Sequence, residues 1–383
     1  MSAYMQMGHD TQNLVGETGL NQFRGIVLSP VNREPEALAL DVPRFRESGQ
    51  FDIVLDPQLY VPRVERGALG SHPYFPSDLD SADLNSESWW KELATRLLGY
   101  AQGLGVDAVA SPLMLPKMWR DDYYALSASV ADNMAVSSPS IRVLLTSIVS
   151  LPELANSDNV LRIASLLSQA AVAGYYLILV SDIEPRRELS DPEELAGAMA
   201  LIGHLEGTGR PVLVGYCSSE MILWKAAGAS NCASGKFFNL RRFTRSRFEE
   251  PPSPGGGQLP YWFEHSLMAF LRDADVLRLR KAALGSLLMG GPSNNVWSRA
   301  ILEQLDQSPE KPWLKLSWRQ YLAWFAEAEA LFGGENAARA ASTHLAAVED
   351  AWLSIEDAKI LFDEPRNNGR WVRAWRQALS TIA

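Results

Sequence analysis

Short, continuously apolar runs punctuate the first two thirds of the chain, each closed by a turn-forming residue and followed by helical periodicity. Residues 25–28 end at Ser29-Pro30, 51–55 at Asp56-Pro57 and 108–110 at Ser111-Pro112. Residues 143–149 end at Ser150, 176–180 at Ser181-Asp182 and 212–214 at Gly215-Tyr216. A strand with one wet face alternates apolar and polar residues, so a run apolar at every position reads as a strand covered on both faces. Two parallel neighbours must be joined by a crossover, and the helical stretches supply one each time. This grammar points to an α/β fold, a TIM-like β/α barrel, complete or distorted, with an open doubly wound sheet as the runner-up. No Gly-x-Gly-x-x-Gly follows the first run, so a dinucleotide fold lacks its phosphate turn. A seventh strand is expected at 230–233, and an eighth does not stand out.

The intervening segments carry helix signals. Ser86 precedes Trp89, Leu93 and Leu97, and Ser157 precedes Val160, Ile163, Leu166 and Leu167. Ser190-Asp-Pro-Glu193 has capping-box form with proline in the first turn. Gly105, Gly174 and Gly209 fall where helices end. Beyond Phe248 the texture changes. Residues 249–258 are rich in proline and glycine, a linker or loop, and from 259 onward helices are expected at 261–271, 276–288, 295–305, 317–332, 336–362 and 369–381. The organisation expected is a flexible N-terminal tail over 1–22, a barrel-like domain over 23–248, the linker, and a helical C-terminal domain over 259–383. The tryptophans at 297, 313, 318, 324, 352, 371 and 375 read as core anchors, with an aromatic surface for a partner as the alternative.

Net charge −10 argues against nucleic-acid coating by the whole surface, so any such contact has to be local. Two cysteines, Cys217 and Cys232, fit reduced thiols in the cytoplasm better than a disulfide framework. No run approaches the ~20 apolar residues of a membrane span. Against the acidic background, residues 236–247 hold five cations and no acid: Lys236, Arg241, Arg242, Arg245 and Arg247. Arginine grips planar oxyanions and lysine supplies a point charge. With Asn239 and the interleaved Phe237, Phe238, Phe243 and Phe248, this stretch is expected to hold an anionic ligand.

Strand ends supply the candidate acids. Asp56 closes the second run, with Tyr60 and Arg63 close behind, and Asp182 closes the fifth. A carboxylate at the C-terminal end of a barrel strand faces the mouth, where proton transfer and nucleophilic chemistry are done. Glu220 joins them in the first turn of the helix expected at 219–227. Ser218 and Ser219 fit helix caps whose amides could hold an anion. Cys217 precedes a helix N-terminus, a setting that lowers a thiol pKa. The five histidines are scattered, so no metal site is read, no phosphate loop or Gly-x-Ser-x-Gly elbow is present, and the sequence implies no particular cofactor.

The rhythm of 213–243, a strand, Gly215, a helix, Ala227-Gly-Ala229, a strand and a basic loop, resembles the late barrel of tRNA-guanine transglycosylases. Asp56 stands roughly where that family has an acid after an early strand. The resemblance implies nucleobase or glycosyl transfer. It departs at Asp-Pro-Gln-Leu-Tyr60, where the family has Asp-Ser-Gly-Gly-Phe-Gln, and in lacking the zinc cysteines.

The leading expectation is therefore a barrel enzyme, transferase or hydrolase, or a ligand-binding barrel for an anionic, phosphate-containing ligand such as a nucleotide. The alternative is a non-catalytic subunit that recognises nucleic acid or a protein partner.

Overall fold

The computed structural model describes residues 2–62, 66–138, 140–249, 259–364 and 367–382. Eight parallel strands close into a barrel: β1 (Ser2–Gln6), β2 (Gly25–Leu28), β3 (Asp52–Leu55), β4 (Ala108–Ala110), β5 (Arg142–Ser150), β6 (Gly174–Val180), β7 (Val212–Gly215) and β8 (Asn231–Ser234). Strands pair in chain order, and β1 pairs with β8 to close the ring, Ala3 opposite Cys232 and Tyr4 opposite Ala233.

The missing eighth strand is thus the first one, which lies inside the segment expected to be a flexible tail. Ser2–Gln6 is short and half polar, so its apolar run is too brief to register. Yet Tyr4, Met5 and Gln6 are all buried. Tyr4 needs the bare backbone of its neighbour: a Cβ on Gly25 would lie 2.1 Å from the Tyr4 ring. Its hydroxyl donates to Asp52 at 2.5 Å, and Arg142 pairs with the same carboxylate, which ties β1, β3 and β5 together at their N-terminal ends.

Helix starts follow the sequence with small shifts. Ser86 accepts from the Trp89 amide at 3.3 Å, Asp191 caps Pro192–Glu206, and Asn156 rather than Ser157 caps Ser157–Leu167. Gly105 and Gly209 adopt left-handed φ values of 69° and 77°, while Gly174 opens β6. The helix expected over 261–271 is instead an antiparallel hairpin, β9 (Trp262–Glu264) with β10 (Ala269–Leu271). The segment is aromatic-rich, which favours a pleated surface. Glu264 fixes its turn by accepting from the amides of Ser266, Met289 and Gly290.

The helix after β7, Met221–Ala226, has six residues, and β8 is followed only by a 3-10 turn and Ser246–Glu249. Elements this short cannot cover the last strands. The C-terminal helices do so instead: Leu314–Leu331 lies on β1 and β8, Ala337–Asp357 on Met221–Ala226, and Arg370–Leu379 on Pro192–Glu206. Of the tryptophans expected to anchor this region, those at 313, 324, 352, 371 and 375 are buried. The expected linker at 249–258 lies, apart from the backbone of Glu249, outside the described residues.

On the outer layer, a Cβ on Gly197 would sit 1.8 Å from the Leu154 carbonyl oxygen. Gly197→Ala is expected to destabilise the protein by about 1–3 kcal/mol through this overpacking, although alanine is the better helix former by ~1 kcal/mol. Urea unfolding measures the difference, and an unchanged midpoint would mean that the helices slide apart freely.

Candidate active site

The C-terminal ends of the strands form a ring of buried polar residues: Gln6, Ser29, Asp56, Ser111, Ser181, Tyr216 and Ser234. Asp56 is the ionisable acid among them and is 1% exposed. Its two oxygens are held from four directions. Oδ1 accepts from the Gln58 amide at 3.0 Å and the Tyr60 hydroxyl at 2.8 Å, and Oδ2 from Tyr176 at 3.2 Å and Tyr216 at 3.4 Å.

The sequence builds this cage locally. Pro57 forces a turn after β3, and Gln58 takes a left-handed φ of 55° that returns its amide to Asp56. The Gln58 side chain then donates to the Tyr216 hydroxyl at 3.3 Å and accepts from Ser29 Oγ at 2.9 Å, linking the ends of β2, β3 and β7. Tyr176 projects from β6, its hydroxyl also 3.4 Å from Gln6 Oε1. The Nε2 of Gln6 is buried without a hydrogen-bond partner.

Burial pushes the Asp56 carboxyl up to about 6, and the Tyr60, Gln58 and Tyr176 hydrogen bonds and the Arg247 charge pull the other way. Burial also raises Tyr60 and Tyr176 far above the ordinary phenol range, so both remain hydroxyl donors. A carboxyl near 6 exchanges its proton in the physiological range, as a general acid or base must.

Arg247 borders the cage, and Arg66 lies within electrostatic reach of Arg247. The Arg247 guanidinium lies 5.5 Å from the Tyr216 ring centre and donates to the Asn239 carbonyl at 2.6 Å. Arg66 is half-buried with a buried Nη1 that has no partner, and its pKa is lowered first by burial and then by Arg247. Phe243 and Phe248 stack at 5.2 Å over the mouth, each edge-on to Tyr60.

The remaining expected site residues are spread more widely. Asp182 is exposed after β6 and is not among the groups holding Asp56. Glu220 and Arg242 are both buried and pair with each other at 3.2 Å. Glu220 also accepts from the Ser218 amide, and Arg242 donates to the Arg187 carbonyl. Ser218 and Ser219 are not caps, since the helix begins after Glu220 and Ser219 donates to Glu188 at 2.7 Å. Burial and the nearby Glu220 charge raise Glu188 to about 8. Arg241 is buried on the Tyr321 ring at 3.4 Å, and Lys236 is buried between Phe237 and Trp318. Asn239 and Arg245 are exposed, and Arg63 lies outside the described residues. The Cys217 thiol is pushed up, not down, by burial and its contact with Cys232.

Sequence reasoning missed Gln6, Gln58, Tyr176, Tyr216 and Arg66 and did not link Arg247 to Asp56. Tyr216 had a usable signal, as the residue closing the 212–214 run, whereas Tyr176 sits within a run and reads there as one more large apolar residue.

No protein-family model matches the chain, and no curated protein matches it either. Among solved structures it is similar to an aldolase, at 12% identity over 61% of this chain and 88% of that one, with a TM-score of 0.37. It is similar to dihydrodipicolinate synthase from Oceanobacillus iheyensis, at 12% identity over 91% and 86% of the two chains, with a TM-score of 0.34. For the carboxyl transferase domain of Rhizobium etli pyruvate carboxylase, identity is 12% over 94% of this chain and 53% of that one, with a TM-score of 0.38. The barrel assignment rests on the strand pairing itself, and no activity is carried over from these structures.

Proposed function

We propose that the chain is a barrel enzyme in which Asp56 moves a proton to or from a small anionic, phosphate-containing ligand bound at the mouth. One observation carries this reading: a fully buried carboxyl at a strand's C-terminal end, caged by three tyrosine hydroxyls and raised to about 6. A structural acid in that position would ordinarily be paired with a cation in contact, whereas no ion pair of Asp56 occurs among the described residues. Arg247 and Arg66 supply the nearby positive charge for the ligand's anionic group. Four donors on the carboxylate weaken it as a nucleophile, which favours proton transfer over the covalent glycosyl transfer that the transglycosylase resemblance implies. Recognition of nucleic acid through Arg241 and Arg242 is less favoured, since both guanidinia are buried and engaged within the protein.

The test begins with melting temperatures against sugar phosphates, nucleotides and free nucleobases, since a ligand of the native state raises the midpoint by mass action. The expected result is a shift with a phosphorylated ligand that Arg247→Ala loses. Turnover of that ligand should then fall by a factor of at least about 100 in Asp56→Asn, the usual scale for losing a general acid or base. Turnover undiminished in Asp56→Asn would end this reading.

A further inference from the structure

On the far side of the rim, Lys236 and Arg241 line one cavity of about 410 Å³, and both are buried. Neither has a carboxylate within ion-pair distance among the described residues. The Lys236 ammonium is 4.7 Å from the ring centres of both Phe237 and Trp318. Arg241 donates to the carbonyls of Gly235 and Lys236 at 3.0 and 2.9 Å, with Tyr321 beneath it. Ring faces and carbonyls are neutral, so they ease desolvation of the two cations without cancelling their charge.

The cavity wall also holds Arg186 and one acid, Glu184, which pair with each other at 2.6 Å. Arg186 is also 3.9 Å from Glu364, so Lys236 and Arg241 are the two lining cations with no carboxylate in contact among the described residues. Buried charge is normally matched by an opposite charge in contact, whereas here Asp10 and Glu188 act on Lys236 and Arg241 only from beyond ion-pair distance.

We propose that this cavity is a second ligand site, selective for a phosphate monoester in its dianionic form. Two cations without a contact ion pair match a dianion, whereas a carboxylate would leave one unmatched. Lys236 meets a terminal oxygen as a point charge. Asn239, which also lines the cavity, is exposed, and the esterified group would lie on its side. The walls come from the loops after β6 and β8 and from the Leu314–Leu331 helix, and include none of the groups that hold Asp56. The site therefore does not depend on the proposed role of Asp56.

Calorimetric titration of the full chain at pH 7.5 with inorganic phosphate, glycerol 3-phosphate, a nucleoside monophosphate and benzoate tests this. A monoester should bind saturably, and Lys236→Met should weaken it by about tenfold or more, the equivalent of ~1.4 kcal/mol. Asp56→Asn should leave that affinity within about twofold, which separates this site from the mouth. Tryptophan fluorescence should change on binding, and Trp318→Phe should remove the change, a readout that does not require a lysine variant to fold. Preference for the nucleoside or the glycerol ester identifies the esterified group. Equal affinity in a folded Lys236→Met, benzoate binding as tightly as the monoester, or no saturable binding of any monoester would each overturn the proposal.

Discussion

Glu329→Gln should lower the unfolding free energy by about 3–5 kcal/mol, the scale of breaking a buried ion pair from one side. Lys225 Nζ and Glu329 Oε1 are 2.8 Å apart, with side chains 0% and 1% exposed. They join the short Met221–Ala226 helix to Leu314–Leu331. The glutamine keeps the shape and can still accept a hydrogen bond. It leaves the ammonium buried with neutral acceptors alone, the new amide oxygen and the Ser230 carbonyl at 3.1 Å. The loss is thus one of uncompensated charge, and the double variant Lys225→Met/Glu329→Leu should recover most of it, because it removes both ions together. Urea unfolding of the parent, the single variant and the double variant measures the loss and its recovery. A single variant as stable as the parent would mean that water reaches the pair.

Asp56→Asn should have the opposite sign. The carboxyl stands at about 6 in the folded protein against 3.8 as its ordinary value. Between those values the native state holds a proton that the unfolded chain has lost, so stability declines as pH rises from about 4 and levels off above about 6. Ionising a carboxyl that the fold holds this far above its ordinary value costs roughly 3 kcal/mol of stability at neutral pH. Asparagine carries no charge to desolvate and can accept from Tyr60 or Tyr176. The variant should therefore be more stable than the parent at pH 8 and nearly equal to it at pH 4. Unfolding curves at the two pH values give the comparison directly. Equal stability at both would mean that Asp56 is well solvated or well compensated in the folded state.

Six strands were legible because a barrel strand buried on both faces is apolar throughout, and that pattern survives in a single sequence. β1 and β8 were hidden or faint for a shared reason. Tyr-Met-Gln and Asn-Cys-Ala-Ser are buried by the Leu314–Leu331 helix, more than 80 residues away in the chain, so no local pattern announces it. The hairpin at 262–271 was misread because an aromatic-rich run serves helix and strand alike and only its pairing decides. In the site, Asp56 and Tyr60 were legible from strand-end position. The burial of Arg241 and Arg242 was not legible, because a run of cations looks the same in sequence whether it faces solvent or threads into carbonyls and a buried glutamate.

The seam between β1 and β8 also bears on the order in which the molecule can be made. Its two edges are separated by more than 220 residues of chain, and the helix that covers them comes later still. During synthesis the first strand has no second neighbour until β8 emerges, and the closed ring stays uncovered on that side until Leu331 has left the ribosome. Contacts between such distant segments are slow to form and leave apolar edges open meanwhile. Nascent chains halted before residue 314 should thus display an unsealed barrel, a natural client for chaperones that hold exposed strands.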